Sequence, residues 1–138
     1  MQTPASSQPP SAILTDLRNG LLKLHKILLD SERAIYERDI ERIKTPGQFL
    51  GLVMDDPWFA YLRQLSKLVV EIDERLDGEE VVLMAESSRY LDRARALISP
   101  SENGQGFERR YFEALQRDPD VVLAHAATTR LIAGLRAA

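Results

Sequence analysis

The stretch DDPWFAYLRQLSKLVVEID, Asp55–Asp73, reads as the start and body of one helix. Asp56 suits an N-cap, because its carboxylate can accept from N–H groups that a first turn leaves unbonded. Pro57 suits the first helical position, where its missing N–H costs nothing. From there Trp58, Leu62, Leu65, Val69, Ile72 and Leu76 recur at steps of four, three, four, three and four. That is one apolar stripe on an α-helix, and it places Trp58 in the core. The helix is expected to end at Asp77-Gly78, with Gly78 as its C-cap. Phe59 points about 100° away from Trp58. It aligns with Ser66 and Asp73 on the flank and is a candidate anchor for a pocket or partner. The Asp-Pro pair returns at Asp118-Pro119. A repeated capping device favours a structural role for these acids over a chemical one.

Helical periodicity extends in both directions. Leu14, Leu17, Leu21, Leu24, Leu28 and Ile35, with Ser31 filling one slot, form a stripe on a long helix from Ser11 to about Ile43. Gly20 is a weak point in it, costing ~1 kcal/mol against Ala. Thr45-Pro46 restarts the chain, and Phe49, Leu50, Leu52 and Val53 mark a short apolar helix. Downstream, Glu79 and Glu80 suit the opening of another helix. Leu83, Met84, Tyr90, Leu91, Ala94, Leu97 and Ile98 are expected on its inner side, with Glu86, Arg89 and Arg93 outside. Ser99-Pro100 ends it, and SPSENGQG (99–106) reads as a loop. Phe107, Tyr111, Ala114 and Leu115 mark a short helix, and Val121, Ala124, Thr128, Leu131 and Leu135 the last one. The only β-like run, Val81–Met84, continues into helical spacing. The pattern predicts an all-α fold: a single-domain antiparallel bundle of four main helices plus two short ones over 11–138. Residues 1–10, rich in Pro, Ser, Thr and Gln, predict a disordered tail.

The totals narrow the function. A length of 138 residues suits one domain with a real core. Cysteine is absent, which removes disulfides, thiolate metal sites and thiol nucleophiles, and fits a reducing cytoplasmic setting. The net charge of −3 argues against direct nucleic-acid binding, which draws its affinity from phosphate neutralisation. No apolar run approaches the ~20 residues of a membrane span. The N-terminus has neither a basic nor an apolar signal region.

The best polar candidates are His25, Glu32 and Tyr36 on the first helix, with Ser66 and Asp73 beside the stripe of the third. His25 and Glu32 share a face but lie two turns, about 10.5 Å, apart. One helix chelates a metal at spacings of three or four, and neither His25 nor His125 sits in a Glu-x-x-His pair. No metal and no cofactor are therefore expected. The bland role for these five is a hydrogen-bonded network at the edge of the core. The functional alternative is a small-molecule or enzymatic site between the first and third helices. Serine elbows and glycine-rich phosphate loops are both missing. Arg109 and Arg110 follow the loop, where they read as solvated surface or as an anion site at a helix N-terminus.

LHKILLDSERAIYER and DDPWFAYLRQLSKLVVEIDE resemble an uncharacterised family of small bacterial helical proteins. That resemblance implies a helical domain and carries over no catalytic residue. The leading expectation is a non-enzymatic interaction module that pairs with itself as a homodimer, or with another protein. Its motive is the last helix, where Val122, Ala126, Ile132 and Ala133 form a second apolar line beside Val121, Ala124, Thr128, Leu131 and Leu135. A peripheral terminal helix needs only one.

Overall fold

The structure, a computed structural model, describes residues 8–137. Residues 1–7 of the expected disordered tail lie outside the described residues. The described chain is all-helical, with no strand. Its α-helices are α1 (Pro10–Asp39), α2 (Pro46–Asp55), α3 (Arg63–Asp77), α4 (Met84–Leu97), α5 (Phe107–Arg117) and α6 (Pro119–Ala137), and Pro57–Leu62 forms a 3-10 segment before α3. Pro10, expected in the tail, is the first residue of α1, and that helix ends at Asp39, four residues short of Ile43.

α1 is the element on which the others converge: α3, α4, α6, the 3-10 segment and α5 all pack against it. Leu14, Leu17, Leu21, Leu24 and Leu28 are all buried, as the leucine stripe requires. Arg18 clamps α1 to α3 through Asp73, with Nε 2.7 Å from Oδ1. Near Gly20 the helices approach closely, for a Cβ there would lie 2.3 Å from a methyl carbon of Leu131 on α6. Gly20 thus makes room for a neighbour, whatever it costs in helix propensity.

The caps act as their sequences suggest. Thr45 Oγ1 accepts from the Gln48 N–H at 3.0 Å, at the start of α2. Asp56 Oδ1 accepts from the Trp58 N–H at 2.8 Å. Asp118 Oδ1 accepts from the Asp120 N–H at 2.9 Å. The consequence at Asp56 differs from expectation, because the chain after it first winds as a 3-10 helix. Residues three apart eclipse in that geometry, so Phe59 stacks in line with Leu62 and then Leu65. Phe59 is fully buried and Trp58 only half-buried. The expected roles of the two aromatics are exchanged. Phe59 lies 5.7 Å from the ring of Tyr36 and 5.9 Å from that of Phe49, which fastens α2.

The α3–α4 connection also departs from the pattern. Glu79 and Glu80 do not open a helix. Gly78 is the C-cap residue, but in an extended conformation (φ −70°, ψ 157°) open to any residue. The chain stays irregular to Leu83, which is 60% exposed, and Met84 is exposed beside it. The buried line of α4 is instead Ser87, Leu91, Ala94 and then Ile98. Glu86, expected outside, reaches back: Oε1 accepts from the Leu83 N–H, and its carboxylate takes a two-pronged bond from Arg75 at 2.7 and 2.9 Å. Arg75 also donates to the carbonyls of Glu80 and Val81, so one guanidinium holds the whole connection.

Two outcomes follow from these contacts. Asp56→Ala should lose ~1 kcal/mol in denaturant unfolding, and Phe59→Ala ~3–5 kcal/mol. Trp58→Ala should cost clearly less than Phe59→Ala, and the reverse order would mean that the helical phase is wrong. The hydrogen bonds from Arg75 and from the Leu83 amide hold the Glu86 carboxyl down at about 2, against an ordinary 4.5. A depressed carboxyl contributes stability in full above its unfolded value and loses it as pH falls through the folded value. Carbon-detected NMR titration should therefore find Glu86 protonating near pH 2, and Arg75→Gln should return its midpoint toward 4.5.

Candidate functional site

Glu32, on α1, is fully buried. It lies 18 residues from Leu14, five whole turns of an α-helix, and so falls on the middle of the buried stripe. Its side chain is 0% exposed. A carboxylate there needs charge and hydrogen bonds to replace water. α5 supplies both, because Arg110 and Arg117 stand seven apart on one flank of its buried face. Arg117 Nη2 donates to Oε2 at 2.6 Å and Arg110 Nη2 to Oε1 at 3.3 Å. The Tyr61 hydroxyl, carried by the 3-10 segment, donates to Oε2 at 2.5 Å. Burial, then the Glu32 charge, push the Tyr61 hydroxyl well above its ordinary range, which keeps it a donor.

The backbone joins the same network. Trp58 Nε1 donates to the Glu32 carbonyl at 3.2 Å, and Arg110 Nη2 donates to the Trp58 carbonyl at 3.2 Å. The Arg110 guanidinium lies over the rings of Tyr61, at 4.7 Å, and Trp58, at 5.3 Å. Both arginines keep about a quarter of their side chains in water, 28% for Arg110 and 27% for Arg117. The cluster therefore has one buried anion, two cations with partly solvated outer edges, and every carboxylate oxygen occupied. Chemically this is a joint between α1, the 3-10 segment and α5. Both Glu32 oxygens accept from the chain's own donors, Oε2 from Tyr61 and Arg117 and Oε1 from Arg110.

The five residues proposed as a ligand site do not meet. Ser66 Oγ donates to the Arg63 carbonyl of its own helix at 3.2 Å, and Asp73 is held by Arg18. The Tyr36 hydroxyl donates to Glu41, just beyond α1, at 3.5 Å. His25 is half-buried, and burial lowers its pKa below the ordinary value. Glu32 bonds α5 and the 3-10 segment and leaves α3 alone. Among the described residues no group of three or more His, Cys, Asp or Glu could hold a metal ion.

The interaction candidates are also placed differently. Phe59, Val121, Thr128 and Leu135 are buried within the chain, and Ala124 and Leu131 are partly buried against the core. This line of α6 serves the protein's own interior because α6 packs on α1 and α4. Of the second line Ile132 is buried too, whereas Val122 and Ala133 are exposed.

Sequence reasoning missed Arg110, Arg117, Tyr61 and the pair Tyr111–His125. The signal for Glu32 was its five-turn spacing from Leu14. For the arginines it was their seven-residue spacing beside Phe107, Tyr111 and Ala114. Arg110, which reads from sequence as solvated surface or an anion site, turns to Glu32, whereas Arg109 stays outside, 3.2 Å from Glu113. Compared with known proteins, the chain matches no protein-family model, no curated protein and no solved structure. No described helix is long and apolar enough to cross a membrane.

Glu32→Gln keeps the shape and removes the charge that both arginines face. It should destabilise the protein by ~3–5 kcal/mol in chemical denaturation. In a double-mutant cycle Glu32 and Arg117 should couple by ~1–3 kcal/mol. Additive losses would show that the joint carries no energy.

Proposed function

We propose that this chain is a non-enzymatic helical interaction module that works as a homodimer through the outer face of α6. The observation that supports the reading is the composition of that face. With Val121, Thr128 and Leu135 turned inward, the exposed side still carries Val122, Leu123, Ala127 and Ala133, with Arg130 between them and the charges Asp120 and Arg136 near the two ends. Leu123 is 69% exposed and Val122 44%. A surface helix ordinarily presents charged and polar residues outward, and an apolar outer face marks a contact surface. The scaffold in this reading is an antiparallel bundle of α1, α3, α4 and α6 with α2 and α5 as shorter attachments, an arrangement that short connections favour. A cytoplasmic setting suits a chain without cysteine. The net charge of −3 suits a protein partner better than a nucleic acid.

Size-exclusion chromatography with light scattering should give twice the mass of the chain, 15.6 kDa. Replacing Val122 and Leu123 together by Glu would bury carboxylates in the contact. The variant should run as a monomer of unchanged helicity, with association weakened by ~2 kcal/mol or more. A strict wild-type monomer at high concentration would remove the proposal.

A further inference from the structure

Between the C-terminal end of α4 and the second half of α6 lies a pocket of about 620 Å³, within the ~300–1,000 Å³ common for small-molecule sites. Its apolar lining includes Ile98, Ile132 and Ala133, and its polar lining includes Arg95, Arg136 and His125. No acid is among its lining residues. Arg136 is paired with Asp92 on α4. Arg95 makes no ion pair with another described residue, so the pocket retains spare positive charge.

His125 adds a directed donor. Its Nδ1 lies 2.6 Å from the hydroxyl of Tyr111, which is fully buried, and the two rings meet edge-on at 5.4 Å. Burial raises the Tyr111 hydroxyl and lowers the His125 imidazole, so both groups are neutral, and the buried Tyr111 hydroxyl, with no other acceptor in reach among the described residues, donates to Nδ1. A neutral imidazole that accepts at Nδ1 carries its own proton on Nε2. The remaining polar atom of the ring is thus an N–H. An apolar surface with a guanidinium and a fixed N–H is the complement of an apolar body bearing one anionic oxygen pair.

We infer that the α4–α6 pocket binds a small molecule with an apolar body and a single carboxylate, the carboxylate taken by Arg95 and His125 Nε2 and the body lying against Ile98 and Ile132. This site stands apart from the homodimer reading. A monomer with a saturable pocket would sink only the latter.

The test is a titration of the full chain with naphthalene-2-carboxylate, followed by amide NMR, with 2-naphthamide as the neutral isostere. The acid should give saturable shifts centred on His125, Thr129 and Ile132, and bind about tenfold or more tighter than the amide. Arg95→Gln should bring the acid down to the affinity of the amide. Ser99→Trp, which fills the pocket from the chain just beyond α4, should abolish binding of both. The inference fails if the wild type shows no saturable shifts there or binds acid and amide equally. It fails equally if Arg95→Gln or a folded Ser99→Trp leaves binding unchanged. Should Ser99→Trp not fold, Arg95→Gln at an exposed side chain decides the matter alone.

Discussion

A buried carboxylate on the central helix is the constraint around which this protein is arranged. Moving an ion out of water costs several kcal/mol even after relaxation, and Glu32 is wholly out of water. Two guanidinium groups and one phenol compensate it, and they come from segments distant in sequence. The last of them, Arg117, is 85 residues away. The need to satisfy one side chain therefore sets where α5 lies against α1. It also sets how the 3-10 segment turns Tyr61 inward and which way Arg110 points. The carboxylate, through bonds of fixed direction, specifies one arrangement.

The 3-10 segment transmits that constraint to the core. Asp56 and Pro57 begin it, and its tighter winding brings Phe59, rather than Trp58, over the buried face. Trp58 is then left at the edge, where its Nε1 reaches the Glu32 carbonyl and its own carbonyl receives Arg110. A half-buried tryptophan with a satisfied N–H is a common compromise for so large an amphipathic ring. The aromatic rings continue from Tyr61 to Phe107, Tyr111 and His125, at centroid distances between 5.3 and 5.5 Å. Packing thus runs without interruption from the Glu32 joint to α6.

α6 faces two ways. Its inward line completes the core against α1 and α4, while its outer side exposes Val122, Leu123, Ala127 and Ala133 around Arg130. The α4–α6 pocket and the exposed Val122–Leu123 corner lie on this one helix, which makes it the place to look for whatever the protein meets. Two acids of α1 and α3 are held within the chain: Asp73 by Arg18, and Glu32 by Arg110, Arg117 and Tyr61.

The helices and most of their ends were legible from residue pattern alone. The leucines of α1 and the capping groups of Thr45, Asp56 and Asp118 act within a few residues, and local periodicity and hydrogen bonding are enough to place them. Glu32 was recognisable as a polar candidate, but its pattern placed it at the edge of the core, and its full burial came only with the packing of α5 and the 3-10 segment. Its partners were not legible, because an arginine beside an apolar face looks the same whether it meets water or a carboxylate 78 or 85 residues away. The exchange of Trp58 and Phe59 was hidden for a related reason. The twenty-degree difference per residue between 3-10 and α winding leaves no mark on composition, and the surrounding packing selects it. Glu86 read as an outward charge until Arg75 came round the α3–α4 connection to meet it. Only the tertiary structure decided these pairings, since charge pairs and ring contacts depend on distances between segments, and a linear pattern of residue types does not contain them.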